Sequence, residues 1–469
     1  MCFEINAMAH LIISAAHKSS GKTTISIGLC AALRQQGHVV QPFKKGPDYI
    51  DPLWLGQAAG RSCYNLDFFT MGRNEIPRLF QKHMAGADIG VIEGNKGLYD
   101  GLDLDGSNSN AALAALLQAP VVLVLDTRGM TRGVAPLILG YQAFDENIRI
   151  AGVVLNSVGG SRHETKLRNV IEHYTDAKVI GAVPRNDSVQ IDERHLGLMP
   201  SNEAEAAQER IDTIARHVGC NVDLNTVMDI ANLAPSAVKT RETRKTSDAH
   251  ADPVSIAYAR DAAFGFYYPD DLDTLENSGA RLLPFDTLKD EAMPEADGLF
   301  IGGGFPETAM EALSANAGMR RSLRDFIEQG GPAYAECGGL MYLCRSLEWE
   351  GRRGEMVGVI RADVKMHQKP QGRGYVRLCE TSCHPWPDSK PQARRVNAHE
   401  FHYSGLEHLD ESLRFAYKVE RGYGVDGFHD GLVYKNLLAN YSHMRNVGSS
   451  HWAERFVAHV RSCVNRRKS

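Results

Sequence analysis

The sequence predicts an α/β protein with two parallel-sheet domains, and three observations carry that prediction. Short β-branched runs alternate with helix-length stretches, a Gly-Lys-Thr turn follows the first run, and the alternation restarts after a polar interruption. A chain of 469 residues exceeds what one core holds, so domains are expected at 8–234 and 254–469, with a linker at 235–253. A content of 43% hydrophobic and 23% charged residues is that of a globular protein. The formal net charge of −5 gives no electrostatic reason to expect nucleic acid or an anionic membrane as partner. No apolar run approaches the roughly 20 residues of a bilayer span. Patterned structure begins just after Met8, a candidate start, and Glu4 with no basic leader argues against a signal peptide. Nine cysteines without a CxxC pair fit reduced thiols in a cytoplasmic protein.

The elements follow in order. Residues 11–15 form a short apolar strand, the turn Ser19-Ser20-Gly21-Lys22-Thr23-Thr24 comes next, and 25–36 is helical. Strands are expected at 39–43, 89–93, 121–126 and 151–156, each bounded by turn residues with room for a crossover helix between. Residues 237–248 are polar and charged, as a surface linker is. Beyond them come a strand at 254–258, a helix at 271–278, and strands at 298–302 and 332–336. The last of these delivers Cys337, followed by Gly338-Gly339 and a helical pattern from Leu340 to Leu343.

The first loop matches GxxxxGK[ST] except that Ala16 replaces its first glycine. In a strand–loop–helix frame, backbone N–H groups of Ser20, Gly21 and Thr24 at the helix start would hold the phosphates of ATP. Lys22 would reach the β- and γ-phosphates, and the Thr23 hydroxyl would ligate Mg²⁺. Carboxylates suit that hard cation, and Glu93 and Asp48 both fall at C-terminal strand ends, where open α/β sheets bind ligands. Lys44 and Lys45 would neutralise phosphate or a substrate carboxylate. The competing reading of each acid is a capped turn.

Cys337 lies between an apolar strand and a helical pattern, the setting of a nucleophile elbow that would project the thiol into solvent over the sheet edge. The helix start would favour thiolate. Gly338, together with Gly303 and Gly304 after their own strand, would donate N–H groups to an oxyanion. A base is then required: His443 is the first choice, with His399 and His402 as competitors. The spacing of His399 and His402 lacks the HExxH pattern of a helical zinc site.

These motifs resemble the glutamine-dependent a,c-diamide synthases of tetrapyrrole biosynthesis. The likeness runs nearly end to end, through Lys45-Gly46-Pro47-Asp48-Tyr49, Glu93-Gly94, Gly97-Leu98-Tyr99-Asp100-Gly101, Gly302 to Glu307, the Cys337 elbow and His399 to Ser404. The resemblance implies a dethiobiotin-synthetase-like ATP domain followed by a flavodoxin-like class I glutamine amidotransferase domain. It implies Cys337 as nucleophile with His443 as partner, and Asp48, Tyr49, Glu93 and Asp100 lining the synthetase site. Most triad amidotransferases place glutamate two residues after the histidine; here Arg445 stands there, and the third member is unassigned.

The implied chemistry is glutamine hydrolysis through a thioester at Cys337. The released ammonia then attacks an acyl phosphate made from ATP and a substrate acetate. The resemblance implies cobyrinate or its metal-free form as acceptor, with siroheme and nickel sirohydrochlorin as alternatives; a homodimer is a candidate assembly. Two other classes compete. A ParA/MinD-like regulatory ATPase would need a lysine where His17 stands, and it gives Cys337 no purpose; a plain cysteine hydrolase would use the first domain only as a sensor.

Overall fold

The computed structural model describes residues 8–191, 193–194, 197–202, 206–235, 253–386 and 394–468. It divides into two compact units, Met1–Glu242 and Thr243–Ser469. All of the expected linker except Pro235 and Pro253 lies outside the described residues.

The first unit is a seven-stranded sheet of β1 (His10–Ala15), β2 (Val40–Lys45), β3 (Tyr64–Leu66), β4 (Ile89–Glu93), β5 (Val121–Asp126), β6 (Ile150–Val158) and β7 (Val179–Pro184). The strand order is β3-β2-β4-β1-β5-β6-β7, with every pair parallel. Strands buried on both faces need no polar alternation, which is why β1, β4 and β5 read as near-continuous apolar runs. The helix Lys22–Gln35 starts three residues before the expected position, because Gly21 adopts φ 86° and Lys22 to Thr24 form its first turn. It packs closely on the helix Ala207–Gly219, where a Cβ on Gly28 would meet Val218 at 2.4 Å. The two share a core with β1, β4 and β5.

The second unit contains β8 (Val254–Ala259), β9 (Ala280–Phe285), β10 (Gly298–Ile301), β11 (Ala333–Glu336), β12 (Gly372–Glu380), β13 (Arg395–His402), β14 (Arg414–Arg421), β15 (His429–Tyr434) and β16 (Leu437–Asn440). They form one sheet in the order β9-β8-β10-β11-β16-β15-β14-β12-β13. The first five are parallel in the flavodoxin-like order, second-first-third-fourth-fifth, and the remaining four continue antiparallel. A further four-stranded sheet holds Cys344–Trp349, Arg352–Glu355, Ile360–Met366 and Ser404–Glu407. The expected helix at 271–278 is found as Pro269–Asn277, with Pro269 in its first turn. Beneath β10 and β11, Tyr334 stacks on Phe300 at 5.3 Å and packs on Trp452 at 4.8 Å. This aromatic packing fixes the strand that ends at the elbow.

Candidate active sites

In the first unit, the C-terminal ends of β1, β2 and β4 meet at one cluster. Ile13 of β1 stands opposite Glu93 and Lys44 of β2 opposite Glu93, so register alone gathers them. Thr23 donates to Glu93 Oε1 at 2.7 Å, and Lys44 Nζ lies 3.0 Å from the same oxygen and 2.5 Å from Asp51 Oδ2. Burial alone would lower Lys44, but the Asp51 and Glu93 carboxylates reverse the sign and hold it charged. Burial raises Glu93, and its Oε2 is buried with no hydrogen-bond partner. Lys22 is buried and lowered by desolvation, with Glu93 opposing the shift.

The phosphate loop is braced from behind. Asn156, at the end of β6, donates to the Ser20 carbonyl at 2.9 Å, and a Cβ on Gly21 would lie 2.1 Å from its Nδ2. Tyr141 donates to the Ala16 carbonyl at 2.5 Å. Ser19 (φ 63°) and Gly21 (φ 86°) take the left-handed conformations of the loop, whereas Ala16 has no positive φ, so alanine fits there. Thr24 lies in the first turn of the helix.

Asp48 differs from expectation. Its Oδ1 accepts from the Ile50 and Asp51 backbone N–H groups at 2.8 and 3.2 Å, and its Oδ2 stays 4.0 Å from Lys44. Desolvation and Asp51 push Asp48 up to about 7 even though 36% of its side chain is exposed. Tyr49 is the buried N-cap residue of the helix Ile50–Ala59, and Asp100 Oδ2 accepts from Gly97 N–H at 2.9 Å. Asp51, absent from the sequence-derived set, reaches the cluster more closely than Asp48 does; its signal was its place one turn along from Asp48.

Among the described residues no three His, Cys, Asp or Glu side chains form a metal cage. The donor set of Thr23 and Glu93, with Asp48 and Asp51 alongside, fits a Mg²⁺ held by one or two protein oxygens, phosphates and waters. The orphaned Glu93 Oε2 is the acceptor such an ion would satisfy.

In the second unit Cys337 sits at a true elbow, φ 46° and ψ −101°, between β11 and the six-residue helix Gly338–Leu343. Its backbone N–H donates to Asn440 O of β16 at 2.7 Å. The expected exposure is corrected: Cys337 is 7% exposed. The loop Gly303-Gly304, paired with Phe264–Phe266, roofs it, so a Cβ on Gly338 would meet Gly304 N and O at 3.0 Å. Tyr267 braces this loop by accepting from Gly302 N–H at 3.0 Å while donating to the Ala259 carbonyl. A Cβ on Gly303 would lie 2.5 Å from His443 Cε1. The three glycines of the sequence-derived set therefore converge on Cys337 and His443.

His443 lies beside the Cys337 thiol, which favours its charged form, and is stacked on His399 at 4.9 Å. Burial opposes its charged form, but Cys337 first and Glu336 second push it up to about 10. His399 accompanies it, with its Nδ1 3.3 Å from the Tyr268 hydroxyl, and desolvation holds it well below the usual range. His402 is elsewhere, stacked on Tyr441 at 3.9 Å with Nδ1 bound to the Ser404 carbonyl. Arg445 points its guanidinium at Asp270 (2.9 Å) and covers the Tyr268 ring. Glu336, which sequence reasoning passed over, has Oε2 3.5 Å from His443 Nδ1. A charged residue closing a buried strand was the available signal, since a buried acid requires partners.

Two family models match this chain: a CobQ/CobB/MinD/ParA nucleotide binding domain over residues 12–198 and a CobB/CobQ-like glutamine amidotransferase domain over 255–449. A cobyrinate a,c-diamide synthase of Magnetococcus marinus is 48% identical over 447 residues, 94% of this chain and 95% of the relative. One of Archaeoglobus fulgidus is 40% identical over 448 residues, covering 95% and 96%. One of Caldanaerobacter subterraneus is 39% identical over 450 residues, covering 95% and 97%.

Proposed function

The chain belongs to the cobyrinate a,c-diamide synthase family of glutamine-dependent carbon–nitrogen ligases, and on that premise we propose that it amidates the a and c acetates of cobyrinate. Residues 8–234 are the ATP-dependent synthetase domain, 254–469 the glutaminase domain, and 235–253 their linker. The observation that carries the reading is the Cys337–His443 pair at a roofed elbow, in a chain whose other unit builds a phosphate loop.

Cys337 sulfur attacks the glutamine side-chain amide carbon, and the oxygen takes up the negative charge beside Gly303, Gly304 and Gly338. The tetrahedral adduct collapses to a thioester as His443 gives its proton to the departing ammonia. Water then attacks the thioester as His443 takes one of its protons, and His443 passes that proton to sulfur as glutamate leaves. In the synthetase unit, a substrate acetate oxygen attacks the γ-phosphorus of ATP, ADP departs, and an acyl phosphate forms. Ammonia attacks that carbonyl and phosphate leaves, giving the amide; a free carboxylate has no such leaving group. Ser20, Gly21, Lys22 and Thr24 hold the phosphates, with Lys22 balancing their charge. Thr23 and Glu93, joined by Asp48, would hold Mg²⁺, which would supply neutralisation of phosphate charge. Tyr49 and Asp100 border the acceptor.

Cys337→Ala tests the division of labour. It is expected to lose glutamine hydrolysis and glutamine-driven amidation while retaining amidation from free ammonia. Unchanged glutamine hydrolysis in that variant would overturn the assignment.

A further inference from the structure

Glu336 is a fully buried acid that the mechanism above leaves without work. Its two oxygens are differently engaged. Oε1 accepts from the Tyr334 hydroxyl at 2.5 Å and from Met444 N–H at 2.9 Å, and Asn440 Nδ2 fixes that hydroxyl at 3.1 Å. Oε2 is left facing His443 Nδ1 at 3.5 Å, with the two side chains 3% and 4% exposed. The carboxylate is therefore clamped on one oxygen and aimed with the other.

Chain geometry explains how a residue next to the nucleophile can also reach its histidine. Along a regular strand, successive side chains point to opposite faces. The positive φ of Cys337 breaks that alternation, so the thiol and the Glu336 carboxylate meet the same imidazole. Arg445 cannot serve instead: it is cationic, and it is paired with Asp270. We propose that Glu336 is the positioning residue of His443, so that the nucleophile, its histidine and the orienting acid are Cys337, His443 and Glu336. With its carboxylate 3.5 Å from Nδ1, Glu336 favours the tautomer protonated there and the ring orientation that presents Nε2 to Cys337, the part an orienting carboxylate plays in serine hydrolases. It also stabilises the imidazolium that forms when the thiol loses its proton. Among the described residues, the titratable groups facing the ring include Cys337, Glu336 and the stacked His399.

The inference rests on Cys337 and His443 being the glutaminase pair. Glu336→Gln keeps the shape and an acceptor for Tyr334 while removing the charge. Expected is a fall of about 100-fold or more in glutaminase kcat, with the glutamine KM within about threefold, which reports that the mutated unit still folds, and ammonia-driven amidation at the wild-type level. The alkaline limb of kcat/KM is expected to move to lower pH by about one unit, because the imidazolium has lost its anion. Glu336→Asp should recover part of the lost rate. A Glu336→Gln enzyme with glutaminase within threefold of wild type, or with an unmoved alkaline limb, would overturn the inference. Cys337→Ala measured alongside separates the cases: if it is inactive and Glu336→Gln is normal, the pair stands and the role of Glu336 falls.

Discussion

Replacing Gly303 by alanine adds one methyl group and should disable one active site while sparing the other. The new Cβ would stand 2.5 Å from His443 Cε1. Carbon atoms rest at about 3.5–4.0 Å, so the ring must yield by about 1 Å. It cannot retreat freely, since His399 stacks on it at 4.9 Å and its backbone is tied to His399 by the N–H···O bond of 2.8 Å. The displacement therefore goes into rotation of the imidazole relative to Cys337 and Glu336. A misplacement of about 1 Å in a reacting group costs roughly 100-fold, and overpacking costs about 1–3 kcal/mol of stability. Glutaminase kcat/KM, followed by glutamate release, should fall by about that factor, while amidation from ammonia stays within about twofold. A Gly303→Ala enzyme that hydrolyses glutamine at the wild-type rate would refute the packing argument.

Three further outcomes are expected. Lys44→Met leaves the buried Glu93 and the partly buried Asp51 carboxylates without their shared cation and should cost about 3–5 kcal/mol in urea unfolding without nucleotide or magnesium; a loss under 1 kcal/mol would contradict the ion-pair reading. Because His443 is raised from 6.5 to about 10, its contribution to stability is full below about pH 6.5 and is lost as pH rises through about 10. Cys337→Ser removes the strongest raising influence, so its denaturation midpoint should vary less with pH over that window than that of the wild type. Glu93→Gln should abolish ATP-dependent amidation yet leave glutamine hydrolysis within about twofold, and parallel loss of both in a folded protein would argue against separate sites.

The parallel strands were legible because burial on both faces leaves an uninterrupted apolar run, and β4 and β5 fall at the expected residues. Tyr64–Leu66 is too short to leave a pattern, and Val179–Pro184 carries Gly181 and Pro184, which read as turn residues. The antiparallel strands β12 to β15 were invisible for another reason: charged residues such as Arg373 and Arg377 face solvent, and their partners are distant in sequence. The elbow was readable from Cys337-Gly338-Gly339, but its burial was not, because the roof comes from Gly303-Gly304 and its pairing with Phe264–Phe266. His443 was the first choice from sequence, but what separates it from the stacked His399, its contact with Cys337, is visible only in the structure. Asp51 and Glu336 were missed for a shared reason: each sits beside a residue with an obvious role, and side-chain direction decides which one reaches the site.

On the proposed function, ammonia released at Cys337 becomes amide nitrogen on cobyrinate. Glutamine labelled with ¹⁵N in its side-chain amide, supplied with ATP and Mg²⁺ to the whole chain, tests it by mass spectrometry of the tetrapyrrole. Two labelled amides are expected on cobyrinate in the wild type and none in Cys337→Ala. Labelled amides on siroheme with cobyrinate unchanged would contradict the choice of acceptor, and label on neither would contradict the ligase reading itself.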